Sequence, residues 1–189
     1  SIADSIIKID QLSEKAQQYN YESIAITDSS NLFGFLKFYK SVRSKGIKPI
    51  AGAEINHVRD SSSHNEHANL TLIAKNHLGY KNLIKLISKS QIVGKTSGIP
   101  VIETEWLAEH SDGLIALSGG FRGHIGKAVL DSNHDLFLKR IKYFQKIFKE
   151  DFILEISRIN RPQEDLYNDY ILSKAGELGL PVVASNEVR

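Results

Sequence analysis

Asp28 follows the short apolar run Ser23-Ile-Ala-Ile-Thr27 and Glu54 stands near the end of the run Ile47–Ile55, so both are placed over one rim if those runs are neighbouring strands. Paired carboxylates in such a position are what divalent cations and general acid–base chemistry use. Spacing alone favours a plainer role. Thr27-Asp28-Ser29-Ser30-Asn31 is rich in helix-capping residues, so Asp28 reads as a cap and Glu54 as the partner of a lysine. His57, His64 and His67 crowd one polar stretch, His57–Asn69, which reads as a surface loop with solvated imidazoles rather than as a zinc site. His77, His110 and His134 fall at predicted helix edges, and His124 follows the turn Gly119-Gly-Phe-Arg-Gly123. That turn has the glycines and the arginine of a phosphate-binding loop but not the full dinucleotide or phosphate-loop fingerprint. Trp106 and Phe121 are candidates for stacking on bases, though lone aromatics beside apolar neighbours are usually core.

These residues need elements to position them. Asn31–Ser44 carries an apolar stripe of Leu32, Phe35, Leu36 and Tyr39 and stops at Gly46, which predicts a helix. Leu78–Ile92, Leu136–Phe148 and Gln163–Leu178 predict further helices, and a helical stretch follows Gly119-Gly120 as far as Leu130. Leu70–Ala74, Leu114–Leu117, Phe152–Ile156 and Pro181–Ala184 join the first two apolar runs as strands. Short buried runs alternating with amphipathic helices are βα units, which build a parallel sheet, open or closed into a barrel. Polar residues gather at the strand ends: Thr27-Asp28, Ser118-Gly119-Gly120 and Ser185-Asn186-Glu187. In such folds those ends form the site face.

Composition narrows the classes. The 189 residues are 41% hydrophobic and 24% charged, the balance of a globular chain and the size of one domain. No cysteine is present, which excludes a disulfide scaffold, a thiolate zinc site and a thiol nucleophile. Lys+Arg is 24 against Asp+Glu 22, a balance too even for a module that grips a duplex by itself. Apolar runs are too short for a membrane span, and Ser1–Asp10 lacks the basic start and apolar core of a signal peptide. Methionine is absent even at position 1, so the chain reads as a fragment.

Read in order, the motifs Ala25-Ile-Thr-Asp-Ser-Ser-Asn-Leu-Phe-Gly34, Lys37-Phe-Tyr39, Gly46-Ile-Lys-Pro-Ile-Ala-Gly-Ala-Glu54, Leu70-Thr-Leu-Ile-Ala-Lys-Asn76, Gly113-Leu-Ile-Ala-Leu-Ser-Gly-Gly120, Phe152-Ile-Leu-Glu-Ile-Ser-Arg158 and Leu180–Arg189 resemble one family over essentially the whole chain. It is the PHP (polymerase and histidinol phosphatase) domain found at the start of bacterial DNA polymerase III alpha subunits, gammaproteobacterial in detail. The resemblance implies a single PHP domain over residues 1–189, folded as a distorted TIM-like (β/α)7 barrel. The family's first strand, with its His-x-His, would precede Ser1, leaving a gap beside the strand at Ser23–Thr27.

The resemblance also implies a metal cluster at the barrel mouth of active members, and this sequence departs from that ligand pattern. Ser29 stands where the family has the His of Thr-Asp-His, Asn69 where a His precedes Leu-Thr-Leu, and Gly120 at the Cys of Ser-Gly-Cys. Ile159 takes the His position of Leu-Glu-x-x-Arg-His, and Arg189 that of Asn-Asp-Val-His. Asp28 and Glu54 persist, and Glu187 keeps only a carboxylate. An arginine repels a divalent cation and can itself neutralise a carboxylate, so Arg189 or a nearby lysine is expected to pair with Asp28 or Glu54. On this reading Asp28, Ser29, Glu54, Asn69, Gly120, Ile159, Glu187 and Arg189 are vestigial, with no catalytic residue, no metal ligand and no cofactor in the chain. The implied setting is the cytoplasm and DNA replication. The domain would be an inactive structural and docking part of a DNA-directed DNA polymerase, a nucleotidyltransferase whose carboxylates lie elsewhere. Its partners would be the remaining alpha-subunit domains and the proofreading exonuclease subunit, with DNA met only through the full polymerase and no membrane. Two alternatives stand beside it: an active metal-dependent phosphoesterase or 3′–5′ exonuclease of the same family, and a small-molecule-binding barrel.

Overall fold

β2 (Lys48–Val58) is the strand about which the sheet is organised. One of its edges is shared lengthwise by two parallel partners: β1 (Ser23–Ser29) pairs with residues 48–54, and β5 (Ile99–Glu103) with residues 56–58. The other edge takes β3 (Ala68–Ala74), which is followed by β6 (Leu114–Leu117), β7 (Phe152–Ile156) and β8 (Val182–Ala184). A two-residue β4 (Lys95–Thr96) folds back on β5. This architecture comes from a computed structural model that describes residues 8–58, 67–96 and 98–186. The sheet curls into a half-barrel, and β1, β4 and β8 are its edges among the described residues.

The parallel expectation needs one correction. β3 runs antiparallel to both β2 and β6. Its apolar run looks like the others in sequence, since hydrophobicity carries no strand direction. A second correction concerns β2, which continues past Ile55 to Val58. Ala53, Ile55 and His57 alternate on one face, a period of two that runs into the stretch read as a loop.

Helices pack on one side of the sheet. They are α1 (Ile9–Gln18), α2 (Phe35–Ser44), α3 (His77–Ile92), α4 (Thr104–Glu109), α5 (His124–Leu130), α6 (His134–Phe148) and α7 (Glu164–Leu178). Asn76 and Asn133 cap α3 and α6 by accepting the Gly79 and Leu136 N–H groups, each at 3.0 Å. Gly46, two residues past α2, adopts φ +76°, the left-handed turn that glycine allows after a helix. The larger core joins Ile55, Leu70, Leu72, Ala116, Phe152 and Leu154 of the sheet to residues of α3–α7. A smaller one gathers Ala16, Phe38, Val42 and Ile47 under α1 and α2, with Ile24 and Ile26 of β1 against it. The opposite face is concave and carries Ser29, Glu54, Asn56 and Thr71 toward one end and the aliphatic Ile50, Ile73 and Ile115 toward the other. No described helix is long and apolar enough to cross a membrane.

Candidate functional site

Strand register places the expected positions along one rim. Ser29 pairs with Glu54, Glu54 with Thr71, Thr71 with Leu117 and Leu117 with Ile153, a row across five strands. One step further out Asn56 faces Asn69, and Asn69 bridges to Gly123. The antiparallel β3 therefore presents its first residues, not its last, at the rim. Glu54 is the row's carboxylate, between two hydroxyl residues and then two aliphatic ones.

Asp28 belongs to the other face. It is in phase with Ile24 and Ile26, which pack toward α2, and its Oδ2 accepts the Gly34 N–H at 3.3 Å. A Cβ on Gly34 would come within 2.9 Å of that oxygen, so glycine admits the close approach. Asp28 therefore closes the turn before α2 rather than capping the helix, whose N-cap is Gly34 and has no side-chain cap bond. The segment that follows is tied to its surroundings: the Ser30 N–H donates to the Glu54 carbonyl at 2.7 Å, and Gln91 Nε2 donates to the Ser30 carbonyl at 2.9 Å.

Gly120 opens a one-turn 3-10 helix, Gly120–Arg122, after β6. The glycines of this turn serve close packing. A Cβ on Gly119 would meet the Asn69 carbonyl oxygen at 2.1 Å, and one on Gly123 the Ser118 carbonyl oxygen at 1.8 Å. Phe121 lies edge-on to Tyr167, with ring centroids 6.0 Å apart, and Trp106 carries Lys89 Nζ over its ring at 4.3 Å.

After β7 the chain turns around a buried carboxylate. Glu164 accepts the Ile159 N–H at 3.0 and 2.9 Å, the Asn160 N–H at 3.0 Å and the Ser157 hydroxyl at 3.1 Å. Burial alone would raise its pKa. The donors from Ile159, Ser157, Asn160 and Arg161 outweigh that and hold it below the usual carboxylate value. Ile159 brings no donor atom on its side chain, and its amide is committed to this carboxylate. Glu187 and Arg189 lie outside the described residues, and with them the expected pair from Arg189 to Asp28 or Glu54.

A histidine pair was missed in sequence. His57 and His124 are both buried, and His57 Nδ1 sits 3.0 Å from His124 Nε2. The same nitrogen lies 3.0 Å from the His57 carbonyl oxygen, so it acts as donor to that oxygen and the His57 ring faces it as acceptor. Arg140 donates to the His124 carbonyl, and Phe144 packs on both rings. The phase of Ala53, Ile55 and His57 was the signal. His67 stands just before β3, its carbonyl accepting from Lys127 Nζ at 2.8 Å, and His64 lies outside the described residues. His77 and His134 begin α3 and α6, and His110 ends α4, all helix edges as expected.

A multinuclear metal cluster needs several imidazole or carboxylate donors within roughly 2.0–2.6 Å of each ion. The described rim offers one carboxylate in its central row, hydroxyls, an amide and aliphatic groups, with Asp28 turned toward α2. Among the described residues no group of three or more His, Asp or Glu side chains converges on such a point. These residues do not fit the cluster.

The chain belongs to the PHP domain family, whose pattern it matches over residues 1–159. It is also 40% identical over 188 residues to the DNA polymerase III subunit alpha of Vibrio cholerae, 39% over 189 residues to that of Escherichia coli K12, and 37% over 188 residues to that of Haemophilus influenzae. Each alignment takes in the whole of this chain and 16% of the relative, so the chain spans about a sixth of these proteins. In structure it resembles a Bifidobacterium adolescentis protein assigned as a metal-dependent phosphoesterase, with a TM-score of 0.63 and 12% identity over 96% of this chain and 82% of the other, a likeness of fold alone. The curled sheet and that likeness agree with the distorted TIM-like barrel read from the motifs.

Proposed function

We propose that this chain is the PHP domain of a bacterial replicative DNA polymerase alpha subunit, and that it acts in the cytoplasm as a catalytically inactive structural and docking part of that enzyme. The observation that carries the reading is identity of 37–40% to polymerase III alpha subunits along the whole chain. Two features of the rim support inactivity. Ser29, Asn69 and Ile159 replace imidazoles, and the carboxylates of Asp28 and Glu164 accept backbone N–H groups. No metal-dependent step is assigned to the domain. Template-directed nucleotidyl transfer belongs to other domains of the polymerase, through which alone DNA is met. The partners are those domains and the proofreading exonuclease subunit.

Four measurements on the native polypeptide that contains this chain test the reading. Primer extension on a primed template is expected, and its absence overturns the polymerase assignment. Elemental analysis is expected to find no manganese or zinc held by the PHP domain. Phosphatase and nuclease assays with either metal are expected to show no turnover that depends on Asp28, and turnover abolished by Asp28→Ala would favour the active phosphoesterase instead. Co-elution with the exonuclease subunit of the same organism checks the docking role.

A further inference from the structure

The buried imidazole pair has no part in the function proposed above. His57 ends the row Ala53, Ile55 and His57 that β2 turns toward the helices, and His124 opens α5. The two rings meet edge to face, with centroids 5.1 Å apart. His124 Nε2 lies 3.0 Å from His57 Nδ1 and 3.0 Å from the His57 carbonyl oxygen, so one N–H serves both acceptors. This arrangement depends on the number of protons. It needs a hydrogen on His124 Nε2 and a lone pair on His57 Nδ1, the state of two neutral rings. A cationic imidazole carries hydrogen on both nitrogens. With both rings cationic, N–H would face N–H across 3.0 Å, and the contact does not survive. A proton on His57 alone forces His124 to give up the hydrogen it donates to the His57 carbonyl. A proton on His124 alone spares the contact but places a charge in a buried site. The closed pair therefore excludes at least one of the two protons that separated rings would bind.

The surroundings act in the same direction. From α6 the pair is faced by Arg140, which donates to the His124 carbonyl, and by Tyr143, whose ring centroid is 6.1 Å from that of His57. From α5 itself comes Lys127, with its Nζ on the His67 carbonyl at 2.8 Å. β3 and β5 meet His57 with Ala68 and Ile102, and Phe144 packs on both rings. On α7, which packs on α5, Glu164 is held by the Ile159 and Asn160 amides and Tyr167 donates to the Glu155 carbonyl. Burial and the cations Arg140 and Lys127 both disfavour a charge on the rings. We propose that His57 and His124 form a proton-operated latch: neutral, they lock the last residues of β2 to α5, and protonated, they release that strand end while the rest of the domain stays folded. The release is local because α5 keeps its own ties to the head of β3, the Asn69–Gly123 bridge and the Lys127 bond, and β2 keeps its pairing with β1 over residues 48–54. What is freed is segment 56–58, which pairs with β5 at 101–103 and carries Asn56 of the rim. Released rings bind protons near a pH of about 6.5, so the latch is complete above that value and is lost as the pH falls below it. The inference does not depend on the polymerase assignment.

The test is hydrogen–deuterium exchange of the native polypeptide that contains this chain, read by mass spectrometry at pH 7.5 and pH 5.5 and corrected for the intrinsic pH dependence of amide exchange. Peptides covering the end of β2 and its partner β5 are expected to exchange about tenfold faster at the lower pH, the change that one excluded proton produces. Peptides of β7 and α7 should not change, because Glu164 titrates below its ordinary 4.5. His57→Asn keeps an acceptor near the Nδ1 position but does not titrate in this range, so it should lose the step. His67→Gln, which removes the imidazole just before β3, should keep it. The step in the unmodified protein and in His67→Gln needs no core substitution, so the proposal stays open to failure even if His57→Asn does not fold. Equal corrected rates at the two pH values overturn the proposal. So does a loss of protection spread alike over β7 and α7, or a step that survives His57→Asn or disappears in His67→Gln.

Discussion

The ends of β1 and β7 lead to the same rim, Ser29 closing β1 and Ile159 following β7, two positions at which the family resemblance implies an imidazole. They are built differently. After β7 a buried carboxylate gathers a hydroxyl and successive backbone amides, so Glu164 acts as the centre around which the chain turns. It does so at the first turn of α7, where the helix dipole also favours a negative charge. After β1 the half-buried Asp28 accepts the Gly34 amide at 3.3 Å, while the chain is tied through Ser30 to β2 and α3. The difference teaches that a rim carboxylate need not be a metal ligand. Where backbone amides are within reach, a carboxylate is satisfied by the fold itself.

The largest effect that would break this contrast is at Glu164. Glu164→Ala leaves the Ile159 and Asn160 amides without their acceptor, and thermal unfolding is expected to show a drop in Tm larger than that of any substitution at Asp28. Equal drops at the two positions would remove the distinction. Next comes pH. The pKa of Glu164 is lowered in the folded chain from an ordinary 4.5, so the unfolded chain binds the proton more readily. The stability it contributes is present above that ordinary value and is lost as the pH falls through the folded one. The Tm gap between the unmodified chain and Glu164→Gln should therefore be full near neutrality and narrow progressively below pH 4.5. A gap that widens on acidification would reverse the sign. Asp28→Ala, which removes the acceptor of the Gly34 N–H, should cost about 1 kcal/mol in denaturant unfolding, and Asp28→Asn, which keeps an oxygen, less. The smallest expected effect is the most informative. Restoring imidazoles by Ser29→His, Asn69→His and Ile159→His together should give no tight zinc site by calorimetry, because the β7 loop stays anchored on Glu164 and Asp28 stays turned toward α2. Stoichiometric zinc binding by that triple variant would show that ligand types alone had disabled the rim.

Much of this molecule is legible in its residues. Leu114–Leu117 and Phe152–Ile156 are strands with the bounds that apolar runs predict, and α3, α6 and α7 begin within two residues of expectation, because core burial demands the periodicities that announce them. The ordered motifs named the family, and the departures at Ser29, Asn69, Ile159 and Arg189 could be read from residue type alone. α1 was passed over, and so were β5 and α4, short elements with weak periodicity.

Direction, face and partner were decided only by tertiary structure. Nothing in Leu70–Ala74 tells a strand to run antiparallel, since an apolar run is the same read toward either neighbour. His57 looks like a loop residue until β2 extends beneath it and α5 brings His124 within 3.0 Å, a contact across 67 residues of chain. Asp28 and Glu54 look like a pair in sequence, yet a single step of strand phase puts one toward the helices and the other on the concave face, because side chains alternate while the alphabet does not record which face is buried. Composition and spacing determined which groups the chain has and which elements carry them. Which face those groups take, and which amides or side chains they meet, was decided by the register of β1, β2 and β3 and by the turn around Glu164.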